Sequence, residues 1–283
     1  FNSPIDLHYR INIFRSSGHM GVAMDLEWLR VFAIRTLLAL TPMIGIGCGA
    51  DTGNQPAPKL LEGDADSTDW AVLGNSSDMQ HHSSLTQINT ETVSELGLAW
   101  AVDLPTRDGL VGNPLISNGR IFQSGSQSQV FANDLKTGKL LWTFEPLADR
   151  PPSSFLETWL RSLNRGLALY EDLVIVGTSD CRLVAIDQET GVEQWQVETC
   201  DSEQAYMISG APRVGGGKVF IGNSCADMGL NRGHVDAVDA KTGEHLWRFY
   251  TVPGDPNEPQ DSELYEMALK TWGEGWYEST RGC

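Results

Sequence analysis

Between Pro114 and Tyr250 the apolar positions come in short alternating runs cut by turn residues. Pro114–Ile116 meets Arg120–Ser124 across Asn118-Gly119, and Leu167–Tyr170 meets Leu173–Gly177 across Glu171-Asp172. Pro212–Val214 meets Lys218–Gly222 across Gly215-Gly216-Gly217. Period-two runs of this length, bounded by Gly, Asn and Asp, predict strands joined by tight turns rather than helices.

Each pair of runs is followed by one template, Ala-x-Asp-x-x-Thr-Gly-x-x-x-Trp. Its copies are Ala132-Asp134-Thr137-Gly138-Trp142, Ala185-Asp187-Thr190-Gly191-Trp195 and Ala237-Asp239-Thr242-Gly243-Trp247, offset by 53 and then 52 residues. A degraded copy ends at Trp100. Within a copy an apolar strand precedes the turn, Gly supplies a positive φ, and a second strand returns with the Trp. Two strands upstream and two within the template make four antiparallel strands per repeat of ~50 residues, the unit of a β-propeller. The Trp reads as the residue that docks one blade on the next. The fold class is therefore all-β, with three blades and part of a fourth in residues 70–283. Three or four blades leave open edges, so the chain reads as a portion of a larger ring. A first residue of Phe and a loop-like last stretch point the same way. Asp261–Trp272 predicts a short helix in an excursion after the third blade.

The N-terminal pattern differs. Thr36–Ala50 is a run of 15 residues without a charge, preceded by Arg30 and Arg35, and Met24 is a candidate start. A basic flank, a short apolar stretch and a small-residue end describe an export signal over 24–50, and the run is short for a membrane span. Cys48 after Gly47 is a candidate lipid anchor. Residues 1–23 are taken as an upstream extension without a fold, and 51–69, polar with two prolines, as a linker.

Composition narrows the partners. Lys and Arg number 20 against 37 Asp and Glu, a net charge of −17 over 283 residues. That surface repels a phosphate backbone, which argues against nucleic acid. No Cys-x-x-Cys-His occurs, so no c-type haem attaches within this sequence. Adjacent His81 and His82 point apart on an extended chain and read as a solvated loop. Cys181 and Cys200 bracket the Asp187–Gly191 turn at nearly equal distances, which places them within disulfide range if their strands pair.

The repeat resembles the tryptophan-docking motif of the pyrroloquinoline-quinone-dependent alcohol dehydrogenases, which are eight-bladed propellers. Ser84–Asn89 leading into Leu96–Trp100, Asn164–Leu169, Ser209–Val214 and Arg248–Pro256 are similar to further family segments. The resemblance runs from about Trp70 to the end and corresponds to the N-terminal part of the propeller. It implies pyrroloquinoline quinone and Ca²⁺ as cofactors, a small alcohol as substrate, a periplasmic electron acceptor, and hydride removal with an Asp as base. Carried over by position, Arg165, Ser209, Ser224 and Ala226 become cofactor contacts and Asp227 the metal ligand. The base, a second metal ligand and a Trp under the quinone fall beyond Cys283, so no catalytic residue is assigned and the chain alone is expected not to turn over.

Departures stand beside these matches. Val111 occupies a position where the family has Glu. Trp159 and Leu160 occupy the places of a vicinal cysteine pair that forms a ceiling over the quinone. Cys225 replaces a Gly beside the metal ligand. These favour a second reading, a non-catalytic propeller lipoprotein that serves as a protein-interaction platform. A third and weaker reading keeps the chemistry with a sugar as substrate.

Overall fold

The computed structural model describes residues 9–16, 19–21, 69–106, 109–149, 158–159, 161–202, 206–224, 232–273 and 275–277. Three four-stranded antiparallel sheets follow the repeat. Blade 1 holds β4 (Leu115–Ser117), β5 (Arg120–Ser124), β6 (Val130–Asp134) and β7 (Leu140–Phe144). Blade 2 holds β8 (Leu167–Tyr170), β9 (Leu173–Gly177), β10 (Arg182–Asp187) and β11 (Glu193–Glu198). Blade 3 holds β12 (Arg213–Gly215), β13 (Lys218–Gly222), β14 (His234–Asp239) and β15 (His245–Tyr250). Strand order equals chain order in each, so every blade is a simple meander.

The central strands of blade 2 are apolar on both faces because both faces are covered. Val174, Val176, Val184 and Ile186 pack with Leu115, Phe122 and Val130 of blade 1. Ile175, Leu183 and Ala185 pack with Val219, Ile221 and Val238 of blade 3. On β15, by contrast, Leu246, Trp247 and Phe249 remain exposed.

The template residues each have a separate task. Asp187 Oδ1 accepts from the backbone N–H of Glu189 (3.1 Å) and Thr190 (2.7 Å) and from the Thr190 hydroxyl (2.6 Å). Asp134 and Asp239 make the same three bonds in their own turns. Hydrogen bonding to the charged form holds all three carboxyls below their ordinary pKa, with the Thr contact the largest cause in each. Gly191 has φ +73°, and a Cβ there would lie 2.8 Å from the Trp142 ring of the preceding blade. Gly138 and Gly243 meet Trp100 and Trp195 in the same way. Trp100 Nε1 donates to the Leu135 carbonyl at 3.0 Å and Trp142 Nε1 to that of Gln188 at 3.1 Å. The indole thus docks one blade on the next, as the spacing predicts, and the structure shows that it does so on the glycine of the following repeat.

The extension read as lacking a fold contains two strands, β1 (Tyr9–Ser16) and β2 (His19–Gly21). With β3 (Gly97–Leu104) they form a sheet of order β2-β1-β3. Ile13 stands opposite Trp100 and a bulge follows, as Ala132, Ala185 and Ala237 stand opposite their own Trp residues before the same bulge. The strand therefore takes the place a blade gives to its third strand. Its signal in the sequence was the alternation of Tyr9, Ile11 and Ile13 with polar residues. Nothing else of residues 1–68, including Cys48, lies among the described residues.

Segment 251–273 carries the expected helix as α1 (Glu263–Leu269). Arg232 fastens that segment, donating to the Val252 carbonyl and the Asp261 carboxylate and covering the Tyr250 ring at 3.9 Å. Among the described residues no helix is long and apolar enough to cross a membrane. His81 and His82 are exposed in a loop, as read from the sequence.

Candidate functional site

All three blades have two distinct ends. The Asp-x-x-Thr-Gly turns lie at one. At the other lie the entries to β4, β8 and β12 and the links that leave β5, β9 and β13. Arg165 and Ser209 sit just before β8 and β12, and Ser224 just after β13, so the meander brings the three to one end.

Asn164 builds the turn that presents Arg165. It is 1% exposed, its Nδ2 donates to the Gly177 carbonyl (2.9 Å), and its Oδ1 accepts from the Gly166 N–H (3.1 Å). Its own carbonyl accepts from the Ser124 hydroxyl of blade 1 at 3.3 Å. Gly166, at φ +135°, lies so close to Gly112 that a Cβ on Gly112 would come within 3.0 Å of its Cα. The backbone around Arg165 is thereby tied to two blades. The Arg165 N–H then donates to the Ser209 carbonyl of the third, at 3.0 Å.

The side chains continue the row. Arg165 Nη1 donates to Ser209 Oγ at 2.6 Å, and Ser209 Oγ lies 2.8 Å from Ser224 Oγ. Ser224 is held by its N–H to the Met207 carbonyl at 2.7 Å. These residues line a cleft of about 380 Å³ together with Arg213, Phe220 and Asn223. Asn223 Oδ1 accepts from the His234 N–H at 2.7 Å, while its Nδ2 is buried without a partner. Two hydroxyls joined by one bond use one hydrogen, so a second remains to be donated. Two arginines, two serines and an amide face the cleft, and among the described lining residues there is no carboxylate. In a chain of net charge −17, this concentrates donors where an anionic or carbonyl-rich ligand would sit.

The structure thus brings together Arg165, Ser209 and Ser224. Ala226 and Asp227, and the departures Leu160 and Cys225, lie outside the described residues. Val111 and Trp159, both near this end, are 50% and 56% exposed. Among the described residues no cluster of three His, Cys, Asp or Glu could hold a metal ion. Asn164 and Asn223 were missed by the sequence reading. The adjacency of each to a candidate, Arg165 or Ser224, was the available signal.

Cys181 and Cys200 form the expected disulfide, with Cα atoms 4.9 Å apart. It closes the site end of blade 2, joining the β9–β10 turn to the end of β11. A second cavity, about 410 Å³, lies beside the innermost strands under residues 71–79 and is lined chiefly by apolar side chains.

Comparison with known proteins agrees with this architecture. Residues 70–282 match the family model for the β-propeller domain of PQQ-type glucose/ethanol/alcohol dehydrogenases. A lupanine 17-hydroxylase [cytochrome c] of a Pseudomonas species is 47% identical over 217 residues, which is 76% of this chain and 31% of that protein. Quinohemoprotein alcohol dehydrogenase ADH-IIG of Pseudomonas putida is 39% identical over 90% of this chain and 35% of its own length. The solved quinohemoprotein alcohol dehydrogenase of Comamonas testosteroni superposes with a TM-score of 0.68 at 39% identity, over 75% of this chain and 32% of that one. The chain spans about a third of the length of the relatives it matches. With the docking repeat, the blade topology and a family match over residues 70–282, the chain belongs to the PQQ-type alcohol dehydrogenase β-propeller family.

Proposed function

We propose that this chain supplies part of the cofactor pocket of an exported quinoprotein dehydrogenase that oxidises a small alcohol and passes electrons to a periplasmic acceptor. Pyrroloquinoline quinone, a planar tricarboxylate, is the proposed ligand of the cleft. The observation that carries the reading is the row Arg165–Ser209–Ser224, which offers donors and no carboxylate. When bound, the quinone supplies the hydride acceptor, and the protein's part is to hold and polarise it. Arg165 provides a fixed positive charge, oriented by Ser209 before any ligand arrives. The free hydroxyl hydrogen of the Ser209–Ser224 pair is available to ligand oxygens. Preorganised donors of this kind cost no rearrangement at the moment of binding. Calcium is proposed at Asp227, a hard oxygen ligand suited to that ion, and Ala226 is proposed beside the cofactor. A lipid anchor at Cys48 belongs to the same proposal.

Titration of the whole dehydrogenase of which this chain is a part with pyrroloquinoline quinone, followed by quenching of Trp fluorescence, tests this. Saturable uptake is expected, weakened at least tenfold in Arg165→Ala, where a charge-assisted bond worth about 1.5–3 kcal/mol is lost. Absence of uptake with and without Ca²⁺ would sink the cofactor reading. It would favour the second one, a non-catalytic interaction platform, which the exposed Val111 and Trp159 at this end would then suit.

A further inference from the structure

Blade 3 buries a carboxylate that the cofactor cleft does not use. Asp236 lies in β14 at 1% exposure. Arg248, opposite it on β15, donates Nε to Oδ1 at 2.9 Å and Nη2 to Oδ2 at 3.1 Å. His245 Nε2 is 2.7 Å from Oδ1 and His234 Nε2 is 3.3 Å from Oδ2. Burying an ion pair seldom stabilises a fold more than an apolar replacement would. The cluster therefore asks for another explanation.

That explanation lies in what its members touch. Arg248 Nη2 and His234 Nε2 also donate to one carbonyl, that of Thr199, at 2.7 and 2.8 Å. Thr199 follows β11 of blade 2. Its N–H donates to the Cys181 carbonyl at 2.9 Å, and Cys200, the next residue, is bonded to Cys181. The cluster thus grips blade 2 at a point the disulfide makes rigid. A second line leads to the cleft. The His234 N–H fixes Asn223 Oδ1, and the Asn223 N–H donates back to the His234 carbonyl at 3.3 Å. Ser224 is the next residue.

We propose that Asp236 is a positioning residue for the cleft: through His234 and Asn223 it sets where Ser224 stands, and through Thr199 it sets the blade spacing across which Arg165 reaches Ser209. The proposal rests on the cofactor reading only for the ligand used to probe it.

Asp236→Asn keeps the shape but turns one acceptor into a donor facing Arg248 and the histidines. Two measurements follow on the full chain. Amide hydrogen exchange at Arg165 and Ser224 should quicken at least tenfold, and pyrroloquinoline quinone should bind at least tenfold more weakly. A second variant, Asp236→Leu with Arg248→Met, replaces the pair by apolar residues. Its unfolding midpoint is expected to return to that of the native chain while exchange and binding remain impaired, because Arg248 no longer grips Thr199 and His234 has lost the carboxylate that orients it. Recovery of all three in the apolar variant would make the cluster merely structural and overturn the proposal, as would Asp236→Asn with native exchange at both amides. If the native chain binds no quinone, the cofactor reading fails alone, and the exchange data still decide the role of Asp236.

Discussion

Replacing Gly191 by Ala tests whether blade docking, rather than turn geometry alone, dictates the repeat. Gly191 combines φ +73° with a Cβ direction 2.8 Å from Cγ and Cδ2 of Trp142. The left-handed backbone alone costs an L-residue roughly 1–2 kcal/mol. Ordinary carbon contacts begin near 3.5 Å, so the indole must retreat by about 0.7 Å or more. Overpacking of that kind costs about 1–3 kcal/mol. The retreat also stretches the 3.1 Å bond from Trp142 Nε1 to the Gln188 carbonyl, for a further loss of about 1 kcal/mol. Gly119 provides the control, since its φ is +71° and nothing lies within 4 Å of its Cβ direction. Gly119→Ala should therefore show the backbone cost alone, and Gly191→Ala should exceed it by about 2–4 kcal/mol. Urea unfolding read by circular dichroism measures both, with an unchanged slope as the check on two-state behaviour. Equal destabilisation by the two variants would refute the docking argument.

Other outcomes follow from the same geometry. Replacing Cys181 and Cys200 together by Ser opens a loop whose ends are 19 residues apart; the expected loss is about 3 kcal/mol by the chain-entropy relation, read from urea midpoints, and a loss below 1 kcal/mol would count against a constraint on the unfolded chain. Burial pushes the Asp236 carboxyl up, but bonds from His234, Arg248 and His245 outweigh this and hold its pKa at about 2. A depressed folded pKa gives stability that is present above pH ~4 and lost as pH falls toward 2, about 2 kcal/mol in all; in Asp236→Asn the acid limb of the pH–stability curve should flatten by that amount. Trp195 Nε1 is buried without a partner, whereas Trp142 Nε1 is bonded, so Trp142→Phe should cost about 1 kcal/mol more than Trp195→Phe in the same unfolding assay.

The sequence made the blades legible because each template residue acts locally. The Asp, Thr and Gly positions close their own turn, and the Trp meets a glycine one repeat on, so a spacing argument captures both. The disulfide was legible for the same reason, since equal distances from a hairpin turn imply opposed strands. The row Arg165–Ser209–Ser224 was legible only through family resemblance, because its members come from two blades and no local pattern joins them. The Asp236 cluster escaped notice although Ala237 opposite Trp247 fixes Asp236 opposite Arg248. What the sequence does not contain is the neighbouring blade that buries this pair and presents the Thr199 carbonyl. The strand at Tyr9–Ser16 escaped because its partner, β3, lies far along the chain.

Placing the tight turns at one end of every blade and the ligand-facing links at the other has a consequence for how such a protein can diverge. The turn bonds span two or three residues and lie a strand length, roughly 17 Å, from the cleft. A substitution at Val111, Trp159 or Ser224 leaves every Asp–Thr–Gly turn intact. The scaffold can therefore tolerate extensive drift in what the open end recognises, including loss of a cofactor, while the docked indoles keep the blades stacked. In this architecture ancestry is recorded at the turn end, and present use must be read at the other.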